Sequence, residues 1–235
     1  MSIKSVVVLT GAGVSAESGI KTFRDADGLW ENHSIEDVAS IDGYLRNPAL
    51  VQDFYNQRRR QLKASEVKPN GAHLALATFE KQWRGDFLLV TQNVDDLHDR
   101  AGSERLIHMH GELRKVHCSR TRKIYGWEDD INSDTRFPCC SETGLLRPHI
   151  VWFGEMPLMM DEIQEALQEC DLFISIGTSG NVYPAAGFVS MIPGYARSIE
   201  MNLNATEISN HFDEHRIGPA SAQVSRWVDE MLTQE

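Results

Sequence analysis

The feature that most constrains this chain is the stretch VVVLTGAGVSAESG, in which apolar residues 6–10 run without interruption into a glycine loop. An apolar residue at every position, rather than every second one, marks a strand covered on both faces, as in a parallel sheet flanked by helices. Residues 87–91 (FLLVT) and 172–176 (LFISI) repeat the pattern, and residues 198–202 (SIEMN) give a weaker fourth copy. Each ends in a small or polar cluster: GAGVSAESG, QNVDD, GTSG and NLN. Between them, residues 69–84, 161–170 and 222–233 carry apolar positions at helical spacing. The expected fold is α/β, with a Rossmann-like parallel-sheet large domain whose polar strand ends converge on one crevice.

Two segments break the alternation. Residues 22–68 are polar and aromatic-rich, and residues 118–147 are charged, turn-rich and hold three of the four cysteines. They are the candidates for a smaller inserted lobe, about 25–68 and 118–147, leaving about 1–24, 69–117 and 148–235 to the large one. With 41% hydrophobic and 24% charged residues, a core forms without metals or disulfides. A net charge of -11 argues against nucleic acid as a partner. The run Arg58, Arg59, Arg60 is the one basic cluster, and its default reading is a solvated helix face. No apolar stretch approaches the ~20 residues that span a bilayer, so no membrane partner is expected. Four cysteines, two of them adjacent, do not form a secreted disulfide framework, and a cytoplasmic location is expected.

Gly11, Gly13 and Ala16 have the G-x-G-x-x-[G/A] spacing directly after a strand. Glycines there allow a tight turn and close approach to a pyrophosphate, with a helix N-terminus to attract the charge. A ligand-free strand-to-helix turn is the alternative. The acid that a dehydrogenase carries about 20 residues on falls in TFRDADGLWENHS, which is not strand-like, and an ordinary dehydrogenase is disfavoured.

GAGVSAESGIKTFRDADGLW resembles the N-terminal signature of the sirtuins, the NAD-dependent protein lysine deacylases. TQNVDDLHDRAG, HMHGEL, VWFGE, GTSGNVYPAA and NLN resemble further family strings, in family order over nearly the whole chain. The details look most like the short bacterial CobB-type sirtuins, grouped with the class that handles acidic acyl chains. The resemblance implies NAD as cofactor and acylated lysine side chains of proteins or peptides as partners. Acetyl and succinyl groups, with lactyl as a further candidate, would pass to ADP-ribose as nicotinamide leaves.

It further implies roles for particular residues. Gly11, Ala12, Gly13 and Ser15 would hold the diphosphate, with Phe23, Arg24 and Trp30 in the segment closing over the cofactor. Gln92, Asn93 and Asp95 would line the nicotinamide and ribose pocket, the last two also serving catalysis. Gly177, Thr178 and Ser179 would add cofactor contacts, Asn202 and Asn204 would meet the adenosine ribose, and Ala220 would lie near the adenine. His110 matches the catalytic histidine, a general base on a ribose hydroxyl, which suits an imidazole at neutral pH. Val151, Phe153, Gly154 and Glu155 would pair with the substrate backbone as an added strand, although the same alternation suits a core strand. Tyr55 and Arg58, in Y-x-x-R spacing, share a face if helical and would read a terminal acyl carboxylate.

Most sirtuins bind zinc with two C-x-x-C pairs. Here Thr121 and Phe137 stand at two of those positions. A site from Cys118 and Cys140, joined by Cys139 or His117, is one reading. Packing and turns holding the small lobe without metal is the expected one, because adjacent cysteines fit a single tetrahedral ion poorly. Two readings compete with deacylation: NAD-consuming transfer to another acceptor, and a catalytically silent module that binds NAD or ADP-ribose.

Overall fold

The computed structural model describes residues 3–21, 29–144 and 146–233. From the N-terminus run β1 (Ser5–Thr10), α1 (Gly13–Ala16), β2 (Leu29–Trp30), β3 (His33–Ser34), α2 (Ile35–Val38), α3 (Ile41–Arg46) and α4 (Pro48–Leu62). Then follow α5 (Gly71–Gln82), β4 (Asp86–Thr91), α6 (Leu97–Ala101), β5 (Leu106–His108), β6 (Gly111–Cys118), β7 (Ile124–Gly126) and β8 (Leu146–Ile150). The chain ends with α7 (Met160–Glu169), β9 (Leu172–Ile176), β10 (Arg197–Asn202), β11 (Glu214–Ile217) and α8 (Ala220–Thr233).

Six strands form one sheet in the order β11-β10-β9-β1-β4-β5, every pair parallel. The four apolar runs are its four central strands, and the order reverses between β1 and β9, the doubly wound arrangement expected from the alternation. One face packs on α5 and α8 through Leu76, Phe79, Val224 and Trp227. The other packs on α7 and the 3-10 turn Ala185–Ser190 through Ile163, Leu167 and Phe188. No helix among the described residues is long and apolar enough to cross a membrane.

A second, three-stranded antiparallel sheet, β7-β6-β8, extends beyond residues 118–147 at both ends. Against it lies α4, which buries Phe54, Tyr55 and Leu62 with Trp152 and Ile150. Within residues 22–68 the sequence suggests helix only around Tyr55 to Arg60, yet α4 runs fifteen residues. Its start is well specified: Pro48 occupies the first turn and Asn47 accepts the Leu50 N–H at 3.2 Å. The β2–β3 hairpin turns on Glu31 (φ 49°) and Asn32 (φ 66°), both left-handed, which matches the twist of a two-residue hairpin loop. Asn suits that backbone; Glu is an unusual occupant.

Candidate active site

The site forms where the strand order reverses. Gly11 N–H donates to the Ile176 carbonyl and Gly13 N–H to the Gly177 carbonyl, both at 2.9 Å. A Cβ on Gly13 would stand 2.7 Å from the Gly177 Cα, and Gly177 itself has φ +62°. The immediate reason for these glycines is therefore the close apposition of two loops, which leaves no room for a side chain at either Gly11 or Gly13. The helix dipole contributes little, because α1 is a single turn of four residues.

Above these loops opens a cavity of about 570 Å³. Gly11, Ala12, Gly13, Ser15, Gly177, Thr178, Ser179, Asn202 and Asn204 line one part of it. Gln92, Asn93, Asp95 and His110 also line it, as do Trp30, Tyr55, Arg58, Val151, Phe153, Gly154 and Glu155. Ala220 is not brought to this wall; it starts α8 inside the core beneath the sheet. Phe23 and Arg24 lie outside the described residues.

Under the cavity, Ser15 joins three elements. Its hydroxyl donates to Asp95 Oδ2 at 2.9 Å and accepts from Asn93 Nδ2 at 3.0 Å. Burial pushes the Asp95 carboxyl up, opposed by its bonds from the Leu97 N–H and Ser15. Two histidines that the sequence reading did not single out complete the layer. His73 accepts the Asn70 N–H at Nδ1 (3.2 Å), so Nε2 carries the proton toward Ser15 Oγ at 3.5 Å. His98 Nε2 lies 3.0 Å from Thr10 Oγ1, and the two rings are 4.7 Å apart. Burial lowers His73 to about 4 and His98 well below the ordinary value, so both are neutral. The only sequence signal for His73 is its place three residues after the helix-capping Asn70.

HMHGEL holds two histidines, and the structure separates them. His110 lines the cavity, and its Nδ1 lies 3.2 Å from the Gln92 carbonyl. A carbonyl only accepts, so Nδ1 carries the proton and Nε2 is the nitrogen left to take one. Burial lowers its pKa, opposed by the Gln92 bond. His108 instead faces acceptors on both sides: Asp99 Oδ2 at 3.0 Å and the Asn93 carbonyl at 3.4 Å. Burial lowers its pKa, but the Asp99 bond and charge outweigh it and the net shift is upward. A raised folded pKa gives stability that is complete below the ordinary value of about 6.5 and fades as pH rises through the higher folded value. His108→Gln is expected to lower Tm more at pH 6 than at pH 9; an equal loss at both would exclude the charge pairing.

VWFGE is not a regular strand. Val151 N–H donates to the His110 carbonyl and Phe153 N–H to the Ala39 carbonyl, each at 2.9 Å, and Glu155 N–H to Trp152. The Glu155 carboxylate accepts the Trp152 N–H at 2.8 Å and pairs with Arg147 at 2.5 Å. These groups are committed internally, so a peptide strand added here would have to pair through the others. The Trp152 indole N–H donates to Tyr55 Oη at 3.0 Å, tying this loop to α4. Nor is the arginine run a solvated face. Arg59 is 1% exposed, Arg58 stacks over the Phe54 ring at 4.2 Å with 12% of its side chain exposed, and Arg60 alone of the three is mostly in solvent.

The sulfur atoms of Cys118, Cys139 and Cys140 lie within 4.8 Å of one another. The turn closed by Ser141 N–H on the Phe137 carbonyl (3.0 Å) curls both adjacent cysteines toward Cys118, so adjacency is no obstacle to a shared ion. Thr121 Oγ1 lies 3.1 Å from Cys139 Sγ, and the Thr121 N–H donates to Cys118 at 3.2 Å. The three thiols supply three of the four donors of a tetrahedral zinc site, and among the described residues no fourth Cys, His or carboxylate joins them. His117 is not in the cluster; its ring meets His149 edge-on at 5.6 Å.

The Sir2 family model matches residues 11–184. A Pasteurella multocida protein named NAD-dependent protein deacylase is 58% identical over 97% of this chain and 97% of its own length. One of the same name from Salmonella typhimurium is 56% identical over 97% of this chain and 84% of its own. Among solved structures, a Sir2 homolog–NAD complex superposes with a TM-score of 0.89 at 36% identity, covering 99% of this chain and 91% of that one. A Sir2–p53 peptide–NAD+ complex gives 0.79 at 29% identity, covering 97% and 94%. Fold, site geometry and these likenesses agree: the chain belongs to the Sir2 family.

Proposed function

We propose that this Sir2-family enzyme, an NAD-dependent protein deacylase, takes succinyl as well as acetyl groups from lysine, reading the acid with Tyr55 and Arg58. The observation that carries this is their joint placement. They stand one turn apart on α4, and both line the cavity that also holds His110 and the glycine loops.

Their hydrogen bonding suits a carboxylate guest. Tyr55 Oη accepts from Trp152 and keeps its own proton to donate. Burial pushes the phenol well above its ordinary pKa, so it stays a donor. Arg58 Nη1 donates to the Phe54 carbonyl at 3.2 Å, while its buried Nε has no partner among the described residues. A carboxylate arriving here gains charge-assisted bonds and relieves an unmet donor. A lactyl hydroxyl is a weaker guest of the same pocket.

NAD, when bound, would supply the ribose carbon at which the acyl oxygen replaces nicotinamide. The chain's own part follows from position. Gly11, Gly13 and Gly177 would hold the diphosphate. The buried cluster of Ser15, Asn93 and Asp95 keeps its polar groups rigid at the cavity wall, where it would meet the nicotinamide ribose. His110 takes a proton at Nε2 while Gln92 fixes its tautomer.

Arg58→Met tests the reading. Losing one charge-assisted bond, about 1.5–3 kcal/mol, lowers the succinyl-to-acetyl ratio of kcat/KM by roughly 10- to 150-fold. The measurement is steady-state deacylation of one peptide in both acylated forms. Equal falls in both activities would remove the carboxylate-reading role.

A further inference from the structure

Glu31 is a charged side chain at this cavity for which the proposed chemistry has no use. It sits at the first left-handed position of the β2–β3 turn, a backbone that favours Gly or Asn. Its side chain is 15% exposed and lines the same cavity as Lys21, Tyr55 and Arg58. One oxygen serves two cations: Glu31 Oε2 is 3.2 Å from Lys21 Nζ and 4.0 Å from Arg58 Nη2. The first distance is a hydrogen bond; the second is an ion pair beyond hydrogen-bond length.

We propose that Glu31 is a built-in carboxylate that neutralises Arg58 when the acyl group is uncharged and withdraws to Lys21 when an acidic acyl group binds. This rests on the acyl-pocket reading above. The charge balance explains the device. An acetyl group brings no counter-charge for the largely buried Arg58 guanidinium (side chain 12% exposed), which then relies first on Glu31 and, more weakly, on Asp53. A succinyl group brings its own carboxylate, and two anions then face two cations, acyl group to Arg58 and Glu31 to Lys21. Because Glu31 already lies nearer Lys21, the exchange needs only a small rotation. Lys21 is 61% exposed and free to follow. Glu31 thus lets one pocket take both kinds of acyl group, at the cost of repelling the acidic one on entry.

The test uses one peptide in acetyl and succinyl forms, saturating NAD, and the variants Glu31→Gln, Lys21→Met and Arg58→Met. In Glu31→Gln, KM for the succinyl peptide is expected to fall about three- to tenfold, the size of one partly screened charge pair, while KM for the acetyl peptide rises. Opposite movements of this kind do not arise from a folding defect. In Lys21→Met, Glu31 has only Arg58 to turn to, and the succinyl KM rises. An unchanged or raised succinyl KM in Glu31→Gln, alongside loss of succinyl preference in Arg58→Met, overturns the role of Glu31 alone. A fall of both activities together in Arg58→Met overturns the acyl-pocket reading itself.

Discussion

Replacing His110 with alanine lowers kcat for every acyl peptide by roughly 10²–10⁴, the usual worth of a positioned general base. Three observations set that expectation. The ring lines the cavity, its Nδ1–H is held by the Gln92 carbonyl at 3.2 Å, and burial lowers its pKa. The last point fixes a sign. The base works as neutral imidazole, and a lowered pKa keeps it neutral further into acid than a free histidine. The wild-type kcat profile should therefore lose activity only as pH falls below about 6.5, and that limb should vanish in His110→Ala. His108, two residues away, does not line the cavity, and both of its ring nitrogens face acceptors, Asp99 Oδ2 and the Asn93 carbonyl. A loss under tenfold in His110→Ala, or an acid limb that survives the substitution, would place the base elsewhere.

The sheet and the glycine loop were legible because their causes are local. A strand buried on both faces must be apolar throughout, and β1, β4 and β9 say so in consecutive letters. The strand ends needed no partner to be recognised as polar. What escaped the sequence depends on residues far away. Arg59 reads as one of three surface arginines until the Leu113 and Asp129 carbonyls, 54 and 70 positions on, are seen to receive it. His73 and His98 look like ordinary helix residues, and only the meeting of α5, α6 and β1 makes them a neutral pair under Ser15. Adjacent Cys139 and Cys140 read as a poor fit to one tetrahedral ion, with Cys139 and His117 as alternative third members; a tight turn brings both sulfurs within 4.8 Å of Cys118. Glu31 carries no motif, and its interest arises from a backbone angle together with two cations from other elements.

Arg59 is also where the second large effect is expected. Its guanidinium donates from Nε to the Leu113 carbonyl at 2.9 Å, and from Nη1 to Asn56 Oδ1 at 2.9 Å and the Asp129 carbonyl at 3.1 Å. These bonds fasten α4 to β6 and to the loop leading into Ile131, whose backbone Asn56 grips in turn. Burial pulls the Arg59 pKa down to about 10, opposed by Asp130, Glu128 and Asp129, so the group stays charged at neutral pH. Arg59→Ala strands two carbonyls and opens a cavity at this joint. Each buried carbonyl left without its donor costs about 1–3 kcal/mol, so the two together cost about 2–6 kcal/mol. At roughly 2–4 °C per kcal/mol for a chain of this size, Tm falls by about 4–24 °C. Arg60→Ala is the internal comparison: its pair with Asp130 is 2.6 Å long, but the arginine side chain is 54% exposed. An exposed pair contributes about 0–1 kcal/mol. Thermal and urea melts of the two variants decide the matter, since equal small losses would mean that the Arg59 bonds do not hold α4 to the second sheet.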